Sequence, residues 1–132
     1  RWKLFPLQKM KKLLQRLTKR AIGDEKERLA ERFLCAQGAQ VIGRNVSGPR
    51  GEIDLIVKHG GYLIFVETRY RNNQSFGGAA ASVSASKQAK VIATAQHFLQ
   101  RHPRWQRSPC RFDVIALEGE SINWIKDAFQ LE

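Results

Sequence analysis

One stretch of sequence decides the fold: GEIDLIVKHGGYLIFVETRYR, which occupies residues 51–71. It contains two runs rich in β-branched and aromatic residues, 52–58 and 62–71, separated by Gly60 and Gly61. A Gly-Gly pair between two such runs is typical of a two-residue hairpin turn, because glycine adopts positive φ without strain. The stretch therefore predicts two antiparallel strands.

This hairpin also predicts a cluster of charged side chains. A two-residue turn places Asp54 opposite Glu67. The same register places Glu52 opposite Arg69, and period-two alternation would put all four side chains on one face. Two opposed acids at ~4 Å and an effective dielectric near 20 repel by of order 4 kcal/mol, so the pair favours a cation between them. Mg²⁺ or Mn²⁺ suits such oxygen ligands.

Two other interpretations of the acids stay open at this point. A different turn register would leave both carboxylates solvated. Alternatively, Arg69 and Arg71 would neutralise them within the hairpin.

The flanking sequence predicts a mixed α/β fold. Gly23 is expected to break a helical pattern, with a new helix from Asp24 to Gln37. The remaining predicted elements are a strand over Gln40–Asn45, a helix over Ser84–Arg101, a strand over Arg111–Leu117 and a short strand over Ile122–Ile125. The order helix, three strands, helix, strand predicts a mixed central sheet flanked by helices.

Composition excludes several classes of protein. The chain has 132 residues, 42% hydrophobic and 27% charged, which is typical of one globular domain. It has no apolar run near the ~20 residues of a membrane span, so no integral membrane association is expected. The start of the sequence lacks the features of a secretory signal, which predicts a cytoplasmic location.

The positive charge is concentrated at one end of the sequence. The net charge is +11, and residues 1–22 hold eight of the 23 lysines and arginines and no acidic residue. Such a charge distribution favours a polyanionic partner, since each neutralised phosphate releases counterions. The nucleic-acid contacts predicted in this segment are Lys9, Lys11, Lys12, Arg16, Lys19 and Arg20.

Residues 1–22 are also amphipathic, because Met10, Leu13, Leu14 and Leu17 recur at helical spacing. We therefore divide the chain into a basic amphipathic arm, 1–22, and a domain, 23–132. Periodicity does not distinguish an arm that lies on the domain from one that lies on DNA or on an anionic membrane surface.

The motifs GEID at 51–54 and FVETR at 65–69 resemble the YraN-like family of bacterial proteins. Further matching positions are Arg71, Gly23, Glu27, Ala30, Leu34, Gly38, Asn45, Lys87, Arg111, Asp113, Val114, Ala128 and Phe129. That family is similar to the PD-(D/E)XK nuclease superfamily, most closely to archaeal Holliday-junction resolvases. The resemblance implies a restriction-endonuclease-like fold with an α-β-β-β-α-β core, DNA as partner, and a homodimer.

The resemblance also implies roles for individual residues. Asp54 and Glu67 match the two acids of the superfamily signature, and Glu27 matches the glutamate on the first helix. The backbone carbonyl of Thr68 would be a further metal ligand. Arg69 stands where the signature has lysine, and arginine keeps the charge but cannot act as a base near neutral pH.

Other candidate residues have two interpretations each. Glu27 is either a site residue or part of an ion pair along its own helix. Lys87 either points into the site, where it would supply the ammonium that Arg69 does not, or extends to solvent over the edge of the core. Arg71 is a further predicted nucleic-acid contact, and Gln88 is a candidate contact to phosphate or base. Asp113 is expected to form a structural ion pair with Arg111 or Arg71.

The leading hypothesis is a nuclease that requires a divalent metal and cleaves structured or branched DNA. Asp54, Glu67, Glu27 and the Thr68 carbonyl would hold Mg²⁺ or Mn²⁺, and Arg69 or Lys87 would stabilise charge on the phosphate. The alternatives are a DNA-binding module of the same fold that does not cleave, and a peripheral membrane protein attached by its arm.

Overall fold

The computed structural model describes residues 7–71, 83–119 and 121–130, with side chains from Arg20 to Tyr70 and from Val83 onward. Its helices are α1 (Leu7–Ala36) and α2 (Ala85–Arg101), and a short 3₁₀ turn covers Pro103–Trp105. The strands are β1 (Gln40–Gly48), β2 (Gly51–His59), β3 (Tyr62–Arg71), β4 (Cys110–Glu118) and β5 (Ser121–Phe129).

The described strands form one mixed sheet in the order β1-β2-β3-β4-β5. Strands β3 and β4 are parallel and are joined through α2, whereas every other neighbouring pair is antiparallel. The predicted fold class is confirmed, including the helix, three strands, helix, strand order. The last strand is longer than predicted and runs over nine residues rather than four.

One helix covers each face of the sheet. On one face, Ala30 and Leu34 of α1 are fully buried against the sheet. On the other face, Val91, Ala95 and Phe98 of α2 pack on the sheet. Burying a leucine, valine or phenylalanine side chain contributes about 1.5–3 kcal/mol, so each apolar stripe fixes its helix to one face.

The β2–β3 hairpin has the predicted turn. Its register runs from His59 opposite Tyr62 to Leu55 opposite Val66. Gly60 and Gly61 have φ values of 58° and 85°. A two-residue turn with positive φ at both positions matches the twist of the flanking strands, which explains the glycine pair.

Helix α1 corrects one prediction. It is continuous over 30 residues, so Gly23 does not break it. A glycine inside a helix costs only about 1 kcal/mol relative to alanine, and the good helix formers on either side outweigh that cost. Neither helix of the described residues is apolar enough over a sufficient length to cross a membrane.

Asp113 is a fully buried acid at the centre of the sheet. Its carboxylate accepts two hydrogen bonds of 2.9 Å from the guanidinium of Arg111. It also accepts from Trp124 Nε1 at 2.8 Å and from the backbone N–H of Asp127 at 2.9 Å. The predicted structural ion pair with Arg111 is confirmed. The bonds from Trp124 and Asp127 link β4 to β5 where their register shifts.

Candidate active site where strands β2 and β3 separate

Asp54 lies at the point where β2 leaves β3. Ile53 packs in the core under α2 and Leu55 in the core under α1, although strict alternation would place both on the same face. The ladder to β3 ends at Leu55. In place of the next ladder bond, the backbone N–H of Thr68 donates to Asp54 Oδ2 at 2.9 Å. The break in alternation therefore turns the carboxylate into the gap between the strands.

This geometry corrects the predicted cross-strand pairs. The regular ladder includes neither Asp54 opposite Glu67 nor Glu52 opposite Arg69. Asp54 and Glu67 nevertheless line the same cleft, and the charge of Asp54 raises the pKa of Glu67. The hairpin register was right, but the assumption of uniform alternation was wrong at Asp54.

Glu67 is the most unusual side chain of the site. It is only 2% exposed, and Lys87 Nζ lies 3.6 Å from its Oε2. Its Oε1 is buried and has no hydrogen-bond partner. Burial and the charge of Asp54 raise the pKa of Glu67 to about 7, although the charge of Lys87, a backbone hydrogen bond from Asp54 and the charge of Arg69 oppose the shift. A buried carboxylate oxygen without a donor is costly, and a cation would satisfy it.

The pKa values of the two other predicted acids, Asp54 and Glu27, are raised as well. Burial raises the pKa of Asp54 against the opposing hydrogen bond from Thr68 and the charge of Lys87. Partial burial raises the pKa of Glu27, and the charges of Asp54, Asp24 and Glu52 add to the shift. All three predicted site acids therefore bind protons more tightly than free carboxyl groups, as expected for a site that attracts cations.

Lys87 points into the site. The Ser84 hydroxyl accepts from the Lys87 backbone N–H at 3.1 Å and caps the first turn of α2, which sets the position of Lys87 above the sheet. Of the two interpretations of Lys87, the structure supports the one in which its ammonium reaches Glu67. Arg69 lines the same cleft, and its charge lowers the pKa of both Asp54 and Glu67.

A cleft of about 360 Å³ gives access to these groups. Its lining residues include Glu27, Asp54, Glu67, Thr68, Arg69 and Lys87. Helix α1 thus supplies one predicted residue, the hairpin four and α2 one. Among the residues that the structure describes, no three His, Cys, Asp or Glu side chains are close enough to hold a metal ion together. A metal here would therefore depend on two carboxylates, a backbone carbonyl and water, which is a common set for Mg²⁺.

The predicted nucleic-acid contacts are less well placed. Gln88 lies next to Lys87, but its amide donates to the carbonyl of Val83 at 3.0 Å. Arg20 is exposed on α1. The side chains of Lys9, Lys11, Lys12, Arg16, Lys19 and Arg71 lie outside those that the structure describes.

Sequence reasoning missed three residues at the rim of the cleft: Ile22, Lys26 and Tyr70. Ile22 and Lys26 were assigned to the two sides of a helix break that does not exist. Tyr70 was treated as an ordinary strand residue. The available signal was its position three residues after Glu67, at the end of β3.

The sheet, the two covering helices and the acidic cleft define a restriction-endonuclease-like α/β protein. The chain belongs to the family described as Uncharacterised protein family UPF0102, whose sequence model matches residues 26–117. The family is a member of the PD-(D/E)XK-like nuclease superfamily. The resemblance drawn from the GEID and FVETR motifs is confirmed.

Curated relatives match most of the chain. A UPF0102 protein of Methylobacillus flagellatus is 52% identical over 111 residues, which cover 82% of this chain and 96% of the relative. The UPF0102 protein YraN of Escherichia coli is 47% identical over 116 residues, covering 87% of this chain and 88% of the relative. A UPF0102 protein of Pseudomonas syringae is 46% identical over 121 residues, covering 88% and 98%.

Proposed function

We propose that this protein is a nuclease that requires a divalent metal and cleaves structured or branched DNA. The observation that carries the proposal is the Glu67 carboxylate, which is 2% exposed and has one oxygen without a hydrogen-bond partner. A structural acid in a core is normally satisfied by donors, as Asp113 is in this sheet. The contrast indicates that Glu67 is kept for a partner that the chain itself does not provide.

The donor set at the cleft fits Mg²⁺ or Mn²⁺. Asp54, Glu67 and the backbone carbonyl of Thr68 would hold the ion. Glu27 lines the cleft but does not form a three-acid cluster with them, so it would act on water beside the ion. These are oxygen ligands, which both cations prefer. When bound, the ion would polarise a phosphate oxygen and make water a better nucleophile near neutral pH.

The remaining groups act on the phosphate and on protons. The side chain of Lys87 is 36% exposed, and its ammonium lies beside Glu67, where it can bind a phosphate oxygen from the cleft. Arg69 lines the same cleft and adds a second positive charge. The raised pKa of Glu27 allows its carboxylate to take up a proton at a pH where an ordinary glutamate would not.

The basic arm would hold the DNA on the cleft. Its lysines and arginines are carried from Leu7 onward by the same helix that contributes Glu27. Because α1 is continuous, phosphates bound along the arm would be aligned with the cleft. The homodimer implied by the resolvase-like relatives is part of this proposal, since two copies would present two such clefts to a branched DNA.

Cleavage of a panel of DNA substrates tests the proposal. With Mg²⁺ or Mn²⁺, the protein is expected to cut junction or flap DNA, and chelator should abolish the cutting. Asp54→Asn keeps an oxygen that can accept from Thr68 but removes the charge, so cleavage should fall by about a hundredfold or more. Asp127→Asn, the same change at an exposed acid of β5 that does not line the cleft, is the matched control and should cut normally. Binding of DNA without cleavage under any of these conditions would favour the non-catalytic DNA-binding module.

A second comparison of cleavage rates distinguishes the role of Lys87 from that of Arg69. Because the Lys87 ammonium is 3.6 Å from Glu67, Lys87→Met is expected to slow cleavage by about 10²-fold, since a positioned charge of this kind contributes a few kcal/mol to the transition state. Metal affinity should change little, because the lysine is not a ligand. Arg69→Lys, which restores the usual signature residue, should keep or raise the rate. Equal activity of Lys87→Met and the parent protein would exclude Lys87 from the mechanism.

A further inference from the structure

An aromatic surface lies beside the acidic cleft. Tyr70 at the end of β3 is 41% exposed, and Ile22 of α1 is 44% exposed. Lys26 of α1 places its Nζ 4.5 Å from the centroid of the Tyr70 ring. These three residues, called here the Tyr70 platform, line the same cleft as Asp54 and Glu67.

We propose that the Tyr70 platform binds an unpaired nucleobase next to the phosphate held at the acidic cleft. The substrate class would then be DNA in which at least one nucleotide beside the cleavage point is unpaired, as in a flap, a gap or the centre of a junction. The cleavage part of this inference rests on the proposed function, whereas the binding part does not.

The position of the platform supports the inference. Phe65 packs under α2 and Val66 under α1, so alternation puts Glu67 on the α2 side of β3 and Tyr70 on the α1 side. Both side chains line the same cleft at the end of β3, so a base on Tyr70 and a phosphate at Glu67 would lie against its two walls. The ring lies on the side of the sheet that faces α1, so a base placed there would rest between β3 and Ile22 rather than in open solvent.

The strength of the contacts also allows a base to replace Lys26. An exposed cation–π contact is worth about two- to fivefold in an equilibrium constant. Stacking of a base on an aromatic side chain is worth between about five- and 150-fold. A base would therefore displace the Lys26 ammonium from the ring, and the freed ammonium would be available to a phosphate oxygen.

An unpaired base suits this surface better than a paired one. In a duplex both faces of each base are covered by its neighbours, and removing a base from the stack costs free energy. That cost is least where the base is already unpaired. The platform would thus select DNA by its structure rather than by its sequence, because every base has a stacking face.

DNA binding in chelator tests the inference without cleavage. Full-length Asp54→Asn protein is mixed with a single-stranded oligonucleotide that contains 2-aminopurine, and with a fully paired duplex of the same sequence. Adding Tyr70→Ala is expected to weaken binding of the single strand between about five- and 150-fold and to remove the quenching of 2-aminopurine fluorescence. Binding of the duplex should change less than twofold. Tyr70→Trp should keep both affinity and quenching.

Tyr62 provides a matched control at the other end of β3. It is 40% exposed, and its ring is also covered by a cation, with Arg111 5.0 Å from the centroid. Tyr62→Ala should leave the affinity for single-stranded DNA and the fluorescence unchanged.

Three results would overturn the inference. The first is that the Asp54→Asn protein, which keeps Tyr70, does not bind the single strand. The second is that Tyr70→Ala weakens binding of the single strand and of the duplex equally, and the third is that Tyr62→Ala weakens binding of the single strand as much as Tyr70→Ala does. The last two would make the Lys26 contact a structural one between α1 and β3. A parent protein that binds the single strand through Tyr70 but never cleaves with metal would refute the proposed hydrolysis and leave the binding inference in place.

Discussion

Replacing Glu67 with glutamine is expected to make the protein more stable at pH 8 in chelator, although the change removes a charged group from an ion pair. The pKa of Glu67 is raised from an ordinary value of 4.5 to about 7 by burial and by Asp54. The folded state therefore binds this proton more tightly than the unfolded state. The stabilisation is fully present below about pH 4.5 and is lost as the pH rises through about 7.

The size of the change in the free energy of unfolding follows from the raised pKa of Glu67. The free energy of unfolding should fall by of order 3 kcal/mol between pH 4.5 and pH 8 in the parent protein. Glu67→Gln cannot lose a proton, so this part of the fall should disappear and the two proteins should differ most at pH 8. Denaturant unfolding at several pH values in chelator measures the difference. Glu25→Gln, on the exposed side of α1, should follow the parent curve.

Metal should reverse the order of stability. A cation bound at the site stabilises the folded parent protein by mass action, about 4 kcal/mol at a thousand times the Kd, which exceeds the difference of order 3 kcal/mol expected in chelator. Glu67→Gln lacks the carboxylate and should respond little. If Glu67→Gln is instead less stable than the parent at pH 8 in chelator, the pair with Lys87 outweighs the burial cost. Glu67 would then be a structural acid, and the metal site would lose its main support.

The sequence was sufficient to predict the sheet and both covering helices. The glycine pair determines the hairpin register, and the apolar stripes that contain Ala30 and Val91 determine which helix surfaces are buried. These features are local, since turn geometry and periodicity act over a few residues. The region from Asp24 to Leu117 therefore has the predicted architecture.

The sequence predicted several residues that line the candidate cleft, but it did not predict how they are arranged. The motifs identified Asp54 and Glu67, but regular alternation could not show that β2 leaves β3 at Asp54. That separation depends on tertiary packing, because Ile53 and Leu55 are drawn into cores on opposite faces. The direction of Lys87 was open for the same reason, since a lysine at the end of a buried stripe can point either way.

Gly23 and the rim of the cleft show a second limit of prediction from sequence. Helix propensity disfavours glycine by only about 1 kcal/mol, which is less than a long helix gains from its neighbours. The break predicted from the single residue separated Ile22 from Lys26, although both lie on one helix beside Tyr70. Residues that meet only through the packing of α1 on β3 leave no periodic signal in the sequence.

Asp113→Asn is expected to be the most destabilising of the acid-to-amide changes considered for this protein. Four N–H groups converge on the two oxygens of Asp113: two from Arg111, one from Trp124 and one from Asp127. Asparagine offers one oxygen, and its NH₂ group would face donors. Because Arg111 would lose its partner while partly buried, the loss should be about 3–5 kcal/mol. At this chain length the Tm should fall by about 10 °C or more.

The control for Asp113→Asn is the same substitution at Asp127. Asp127 is exposed and has a φ of 54°, a conformation that asparagine adopts readily. Asp127→Asn should therefore change the Tm by no more than a degree or two. The Tm of Asp113→Asn should also respond to added metal as the parent does, because its carboxylate does not line the cleft. A fall of less than about 1 kcal/mol would mean that the donors around Asp113 find other partners. Asp113, whose oxygens accept four hydrogen bonds, would then no longer contrast with Glu67, which has one oxygen without a partner. That contrast could no longer be used to identify the functional site.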